Sequence, residues 1–341
     1  MMIAALLVLL AILYSQHTQQ KRLNNFNRIW LTNAISIIKD TTMPVPAVGL
    51  CPPATDHLFF TSRDPRMLIT TNKHLSIIDT QFLRIPLRPQ LLASCELFID
   101  SPQINLITKN SPSLIRYNTH NDSFSIIKLP TPLITRISRI SPSTLVVRTF
   151  DSLQQSQLFA TINIHTGKKT HEKIIKELAG DAGFSSDGLL TYDNHSHHIF
   201  YTQFYQNIFY ALDTNLNLLY KGKTIDTINT NQIYSRAFTD SVKRNGSRMP
   251  AVPLKRIMNG IGAGNGYLFV LATLRADNEL EDNTRNNTVV DLYNATDGQY
   301  KGSFYIPNIN GKKIQAIQIT NDNILVTIYK DRIATWKLNF T

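Results

Sequence analysis

Residues 95–130 read CELFID-SPQ-INLITKN-SP-SLIRYNT-HND-SFSIIKLP. Four apolar runs are separated by short turns of Ser, Pro, Asn and Asp. β-Branched and aromatic residues fill the runs, as extended strands prefer. The turn residues either preset the backbone or bond it locally. The fourth run ends at Pro130, and proline is tolerated on an outer edge strand because its missing N–H breaks no ladder bond there. Four short antiparallel strands followed by a longer join are the sequence of one β-propeller blade.

The same grammar extends in both directions. A first blade is read at 57–88 (HLFFTS, RMLITTN, HLSIIDT, FLRIPL), and the quoted stretch is the second. The third is read at 134–177, the fourth at 188–226, the fifth at 253–307 and the sixth at 312–339. The sixth holds only three runs. An unclosed ring leaves edges that invite aggregation, so the fourth strand is expected from the other end of the chain. Residues 34–48, AISIIKDTTMPVPAV, carry the same run-then-proline ending. Ile35–Lys39 is expected to pair with Arg332–Leu338 and latch the ring. The expected fold is all-β: a six-bladed propeller of four-stranded antiparallel blades over 34–341, with an N-terminal hydrophobic helix.

Residues 1–14 read MMIAALLVLLAILY. A full membrane span needs about 20 apolar residues, so this run suits a signal core or a short anchor. The reading is a signal anchor or transmembrane helix over 1–16 and a polar stalk over 17–33. Lys21, Arg22 and Arg28 follow the apolar run, and positive flanks tend to stay cytoplasmic. The expected location is nevertheless the periplasmic side of the cell envelope, with the chain anchored by its N-terminal helix, or secreted if the helix is cleaved.

The chain has 341 residues and a net charge of +11, from 35 Lys and Arg against 24 Asp and Glu. A basic balance favours anionic partners. No run of five Lys or Arg occurs, so nucleic acid is not an expected partner. Cys51 and Cys95 are the only cysteines. They lack zinc-site spacing and form either one disulfide or two free thiols.

Phe184-Ser-Ser-Asp-Gly188 resembles the F-S-P-D-G turn of TolB-type blades, with Ser186 in place of proline. It stands at the turn between the first two strands of blade 4 or at the approach to the first. The whole pattern resembles the six-bladed propellers grouped as TolB-like or NHL-like. The stretch from Gly188 to Asp226 is similar to uncharacterised exported propellers of Bacteroidetes. The resemblance implies the fold and an exported location, and names no chemistry.

Two long insertions mark a candidate site. The join 227–252 is basic, with Arg236, Lys243, Arg244 and Arg248, and Lys255 and Arg256 follow it. The second turn of blade 5, 276–288, is acidic, with Asp277, Glu279, Glu281 and Asp282. Meander geometry puts both on one face of the disc, and loops this long are functional or disordered. They are read as a docking rim or lid for an envelope protein. His195, His197 and His198 suggest imidazole chemistry, but neighbours in a hairpin turn point different ways. Phe200, Tyr201, Phe204, Tyr205, Phe209 and Tyr210 read as inter-blade core or, alternatively, a glycan-stacking surface. Arg136, Arg139 and Arg148 are candidates for lining the axis. No nucleophile elbow, P-loop or dinucleotide fingerprint occurs, and no cofactor or metal is expected. The reading is a non-catalytic binding or scaffold module. The alternatives are a metal-dependent, lactonase-like hydrolase and a glycan-binding module.

Overall fold

The structure, a computed structural model, describes residues 24–51, 57–76, 78–85, 95–151, 156–175, 186–229, 235–238, 247–250 and 255–340. The apolar run at 1–14 lies outside them. The described chain forms six four-stranded antiparallel sheets and one separate hairpin.

Blade 1 is β2 (Gly49–Cys51), β3 (His57–Thr61), β4 (Met67–Asn72) and β5 (Ile78–Phe82). Blade 2 is β6 (Cys95–Asp100), β7 (Gln103–Thr108), β8 (Ser113–Asn118) and β9 (Ser123–Lys128). Blade 3 is β10 (Ile134–Ser141), β11 (Thr144–Asp151), β12 (Ser156–Asn163) and β13 (Lys169–Lys173). Blade 4 is β14 (Gly188–Asp193), β15 (His198–Gln203), β16 (Ile208–Leu212) and β17 (Leu218–Lys223). Blade 5 is β20 (Met258–Gly264), β21 (Tyr267–Ala272), β22 (Asn287–Asn294) and β23 (Tyr300–Pro307). Between blades 4 and 5 stands the hairpin of β18 (Ser235–Phe238) and β19 (Ser247–Pro250).

Blade 6 takes β24 (Ala316–Ile319), β25 (Ile324–Ile328) and β26 (Arg332–Leu338) from the C-terminal end. Its outer strand is β1 (Ile35–Thr42), antiparallel to β26 with Ile35 opposite Leu338 and Thr42 opposite Arg332. The expected latch is therefore present, with a bulge between Ile37 and Lys39.

Blade 1 departs from the sequence reading by one strand. Its first strand is the three-residue β2, ahead of His57, and the runs HLSIIDT and FLRIPL supply only β5. Leu75 explains the slip: it is buried but sits in a turn with φ +53°. A core residue presented by a turn reads as strand.

The apolar interior falls into six clusters, one for each seam between neighbouring blades. Between blades 5 and 6, for example, Phe269 and Leu292 pack against Ile319 and Trp336. The seam between blades 6 and 1 joins Val326 and Ile333 to Phe60 and Ile69. Six seams for six blades is what a closed ring requires, and burial on this scale is the main stabilising contribution. The aromatic run of blade 4 is core. Phe200 and Phe209 fill the seam toward blade 5, and Tyr201 and Tyr210 the seam toward blade 3.

Residues 24–33, read from sequence as stalk, lie along blade 5. Leu31 N–H donates to Ser303 O (2.8 Å), and Ser303 N–H donates to Ile29 O (2.7 Å). Trp30 pairs with Ser303 in a parallel bridge and stacks on Tyr305 at 4.3 Å between ring centroids. The segment thus covers the outer edge of the blade.

Candidate functional site: an axial cavity and a three-part rim

The first strands of the six blades surround a cavity of about 1210 Å³. Two of its carboxylates are paired with cations, and a third, Asp193, is held by hydrogen bonds alone. Lys109 bonds Glu96, and Arg139 bonds Asp100. Arg139 Nε also donates to Ser141 O at 3.0 Å, which fixes the guanidinium. Asp193 is fully buried; its oxygens accept from His195 N–H (3.1 Å), Ser196 N–H (3.1 Å), Ser196 Oγ (2.7 Å) and Gly266 N–H (3.1 Å).

Of the three candidate arginines, only Arg139 lines the cavity. Arg136 holds Asp187 with two bonds of 2.9 and 3.0 Å. Arg148 is buried; it bonds Asp187 and Ser186 and lies 5.1 Å from the ring centroid of Tyr201. Ser186 and Asp187 therefore lead into β14 rather than joining the first two strands of blade 4; Phe184 and Ser185 lie outside the described residues. Arg136 and Arg139 stand three residues apart in a regularly paired part of β10, so strand alternation sends them to opposite faces.

The three histidines of blade 4 diverge. His195 lines the cavity. His197 Nδ1 meets the Tyr192 hydroxyl at 3.0 Å, and His198 Nδ1 donates to Ala295 O at 2.8 Å. Among the described residues, no three His, Cys, Asp or Glu side chains gather as a metal site. Cys51 and Cys95 line the cavity wall and are not joined in a disulfide. Burial pushes Cys51 up to about 12, with Glu96 adding to the shift. Burial also raises Cys95, to about 11, against the pull of Lys109. Neither is a ready nucleophile.

The blade 4–5 rim is assembled from three distant parts of the chain. Asn24 ties them together. Its Oδ1 accepts from Lys255 Nζ (2.9 Å), its Nδ2 donates to Arg275 O (2.7 Å), and its carbonyl accepts from Thr227 Oγ1 (2.6 Å). Asp277 accepts the Asn24 N–H at 2.9 Å. Below this lies Arg28, buried with Glu279 and Asp291. Arg28 Nε and Nη2 donate to the two Asp291 oxygens (2.7 and 3.1 Å), and Nη1 donates to Glu279 and to Leu274 O (3.1 Å). Tyr305 Oη donates to Glu279 at 3.0 Å, and Ser303 Oγ to Asp291 at 2.5 Å. Burial alone would lower the Arg28 pKa, but Asp291 and Glu279 outweigh it and the net shift is upward. Arg28 is thus a core cation of the propeller rather than a free positive flank of the apolar run.

The remaining rim residues are spread. Arg236 and Arg248 stand on β18 and β19, opposite Met249 and Ala237; Lys243 and Arg244 lie outside the described residues. The Arg256 guanidinium lies 3.8 Å from the ring centroid of Phe204. The short helix α1 (Glu281–Asn286) carries an exposed Asp282 and pairs Glu281 with Arg285 and Arg275. No described residue of either insertion lines the axial cavity. The sequence pointed to these insertions, but it missed Asn24 and Arg28, whose partners lie about 250 positions away.

No protein-family model and no curated protein matches the chain. Solved structures match in fold. A Bacteroides fragilis protein described as exported superposes with a TM-score of 0.54 at 9% identity, covering 92% of this chain and 98% of its own. A protein of unknown function from Bacteroides thetaiotaomicron gives 0.50 at 10% identity, over 92% of this chain and 76% of its own. Streptogramin B lyase gives 0.49 at 12% identity, over 88% and 97%, a likeness too loose to carry an argument. The chain is a six-bladed propeller structurally similar to uncharacterised exported proteins of Bacteroidetes.

Proposed function

We propose that the protein is a non-catalytic binding or scaffold propeller of the cell envelope. In this reading it is tethered by its N-terminal apolar run and docks a protein partner on the blade 4–5 rim. The envelope location draws support from the exported Bacteroides fragilis neighbour and from the apolar leader. The docking reading rests on one observation. Leu280 is 71% exposed and Ile29 63%, the highest values for large apolar side chains among the described residues. The two belong to one surface: Arg28, next to Ile29, is bonded both ways with Asn278, two residues before Leu280. Exposed apolar groups on a rigid, internally bonded platform favour a protein contact. Six of the candidate rim residues named from the sequence are basic and four acidic, and one of the acids, Glu279, is buried against Arg28. The excess of positive charge favours a partner with an acidic margin. The cavity carboxylates Glu96 and Asp100 are each committed to a cation, which favours binding over metal-dependent hydrolysis.

A photocrosslinking residue placed at Leu280 in cells tests the reading. The expected result is a discrete adduct with one protein, abolished by Ile29→Asp. A crosslinker at Ile126, 58% exposed on the outer strand of blade 2, is expected to give none. No adduct at Leu280, or the same products from both positions, contradicts the proposal.

A further inference from the structure

We infer that the axial cavity is a binding site for a neutral oligosaccharide. Its volume, about 1210 Å³, exceeds the roughly 300–1,000 Å³ of an ordinary small-molecule pocket, so it accommodates an extended ligand. Its ionic pairs cancel: Glu96 with Lys109 and Asp100 with Arg139. Asp193 has its oxygens occupied by the turn that it caps. A charged ligand would therefore find every one of these carboxylates and cations already engaged by the protein.

What the wall does offer is carboxamides. Asn194, Asn259, Asn265, Gln315, Gln318 and Asn321 line the cavity, and among the described residues their side chains make no protein hydrogen bond. Each presents both donors and acceptors, which matches neighbouring sugar hydroxyls that also do both. Three of them form an arc. Asn194, Asn265 and Asn321 occupy the turns that follow the innermost strands of blades 4, 5 and 6. Close strand packing keeps two of them adjacent. A Cβ on Gly264 would meet Ile319 Cγ2 at 2.5 Å, so only glycine lets β20 lie this near β24. Tyr192 lines the same cavity, its hydroxyl held by His197, and supplies a flat ring against which a sugar face can lie.

Calorimetric titration of the full chain with neutral hexaoses (malto-, cello-, xylo-, manno- and chito-series) and with hexagalacturonate tests this site. We expect at least one neutral hexaose to bind, with affinity reduced about tenfold or more in Asn194→Ala/Asn321→Ala. Asn265→Gly, which keeps the left-handed turn at φ +56° while removing the carboxamide, is expected to weaken binding in the same way. Asp100→Asn frees Arg139 and is expected to add hexagalacturonate binding that the unaltered chain lacks. Unaltered melting curves establish that each variant is folded. Failure of all neutral hexaoses overturns the inference. So does binding indifferent to the three asparagines, or unaltered protein that takes hexagalacturonate equally well. The outcome is independent of crosslinking at Leu280, which probes a different surface.

Discussion

Arg28 is the residue on which the rim rests. It is 4% exposed, and its partners Glu279 and Asp291 are 6% and 3% exposed. Removing one member of a buried ionic set leaves uncompensated charge and costs about 3–5 kcal/mol. Arg28→Met should therefore lower the stability measured by urea unfolding by that amount, and adding Glu279→Gln with Asp291→Asn should recover most of it. A loss below about 1 kcal/mol would show that the network is not buried as described. None of this was legible in the sequence. Arg28 reads there as a flanking charge and Glu279 as one of four rim acids, because a pairing between distant positions leaves no local pattern. The histidines were more legible. Neighbours in a hairpin turn point different ways, and His195, His197 and His198 do separate.

At the scale of elements, strand identity was legible wherever apolar alternation and turn residues agreed. Blades 2, 3, 4 and 6 follow their runs closely, and so does the latch β1; blade 5 does so except in its first strand, which is read from 253 but runs over Met258–Gly264. Blade 1 does not: β2 is too short to show a period, and Leu75 buries itself from a turn. The hairpin of β18 and β19 was also missed, because polar residues over 227–252 outweigh its short runs. The inner strands carry a prediction of their own. Gly264→Ala places a methyl against Ile319, whose branched Cβ cannot yield easily, so β24 must shift. Overpacking of this kind costs about 1–3 kcal/mol. Thermal unfolding should show the drop, and Gly264→Ala/Ile319→Ala should lose less than the sum of the two single changes. Simple additivity would mean that the two strands are not in contact.

The whole molecule stores several neutral acids in its interior. Burial raises Cys51 to about 12, Cys95 to about 11 and Tyr329 to about 12, the last opposed by a bond from Thr327. Unperturbed values are about 8.5 for Cys and about 10 for Tyr. Between those values and the raised ones, the unfolded chain releases protons that the folded chain keeps. Stability contributed by these groups is therefore complete below about pH 8.5 and is lost as pH rises through 11–12. The melting temperature should fall steeply over that window, and Ellman's reagent should find no rapidly reacting thiol at pH 7.5. A flat alkaline profile would contradict the buried placement.

Ring closure is the claim on which cavity and rim both depend, and Ser36 and Lys337 test it most directly. They face each other across β1 and β26, and both are exposed. In the double variant Ser36→Cys/Lys337→Cys, mild oxidation followed by peptide mass mapping should find the introduced thiols joined within one molecule, with a raised melting temperature. Introduced thiols that stay reduced, or that link only between molecules, would mean that the N-terminal strand does not close the ring.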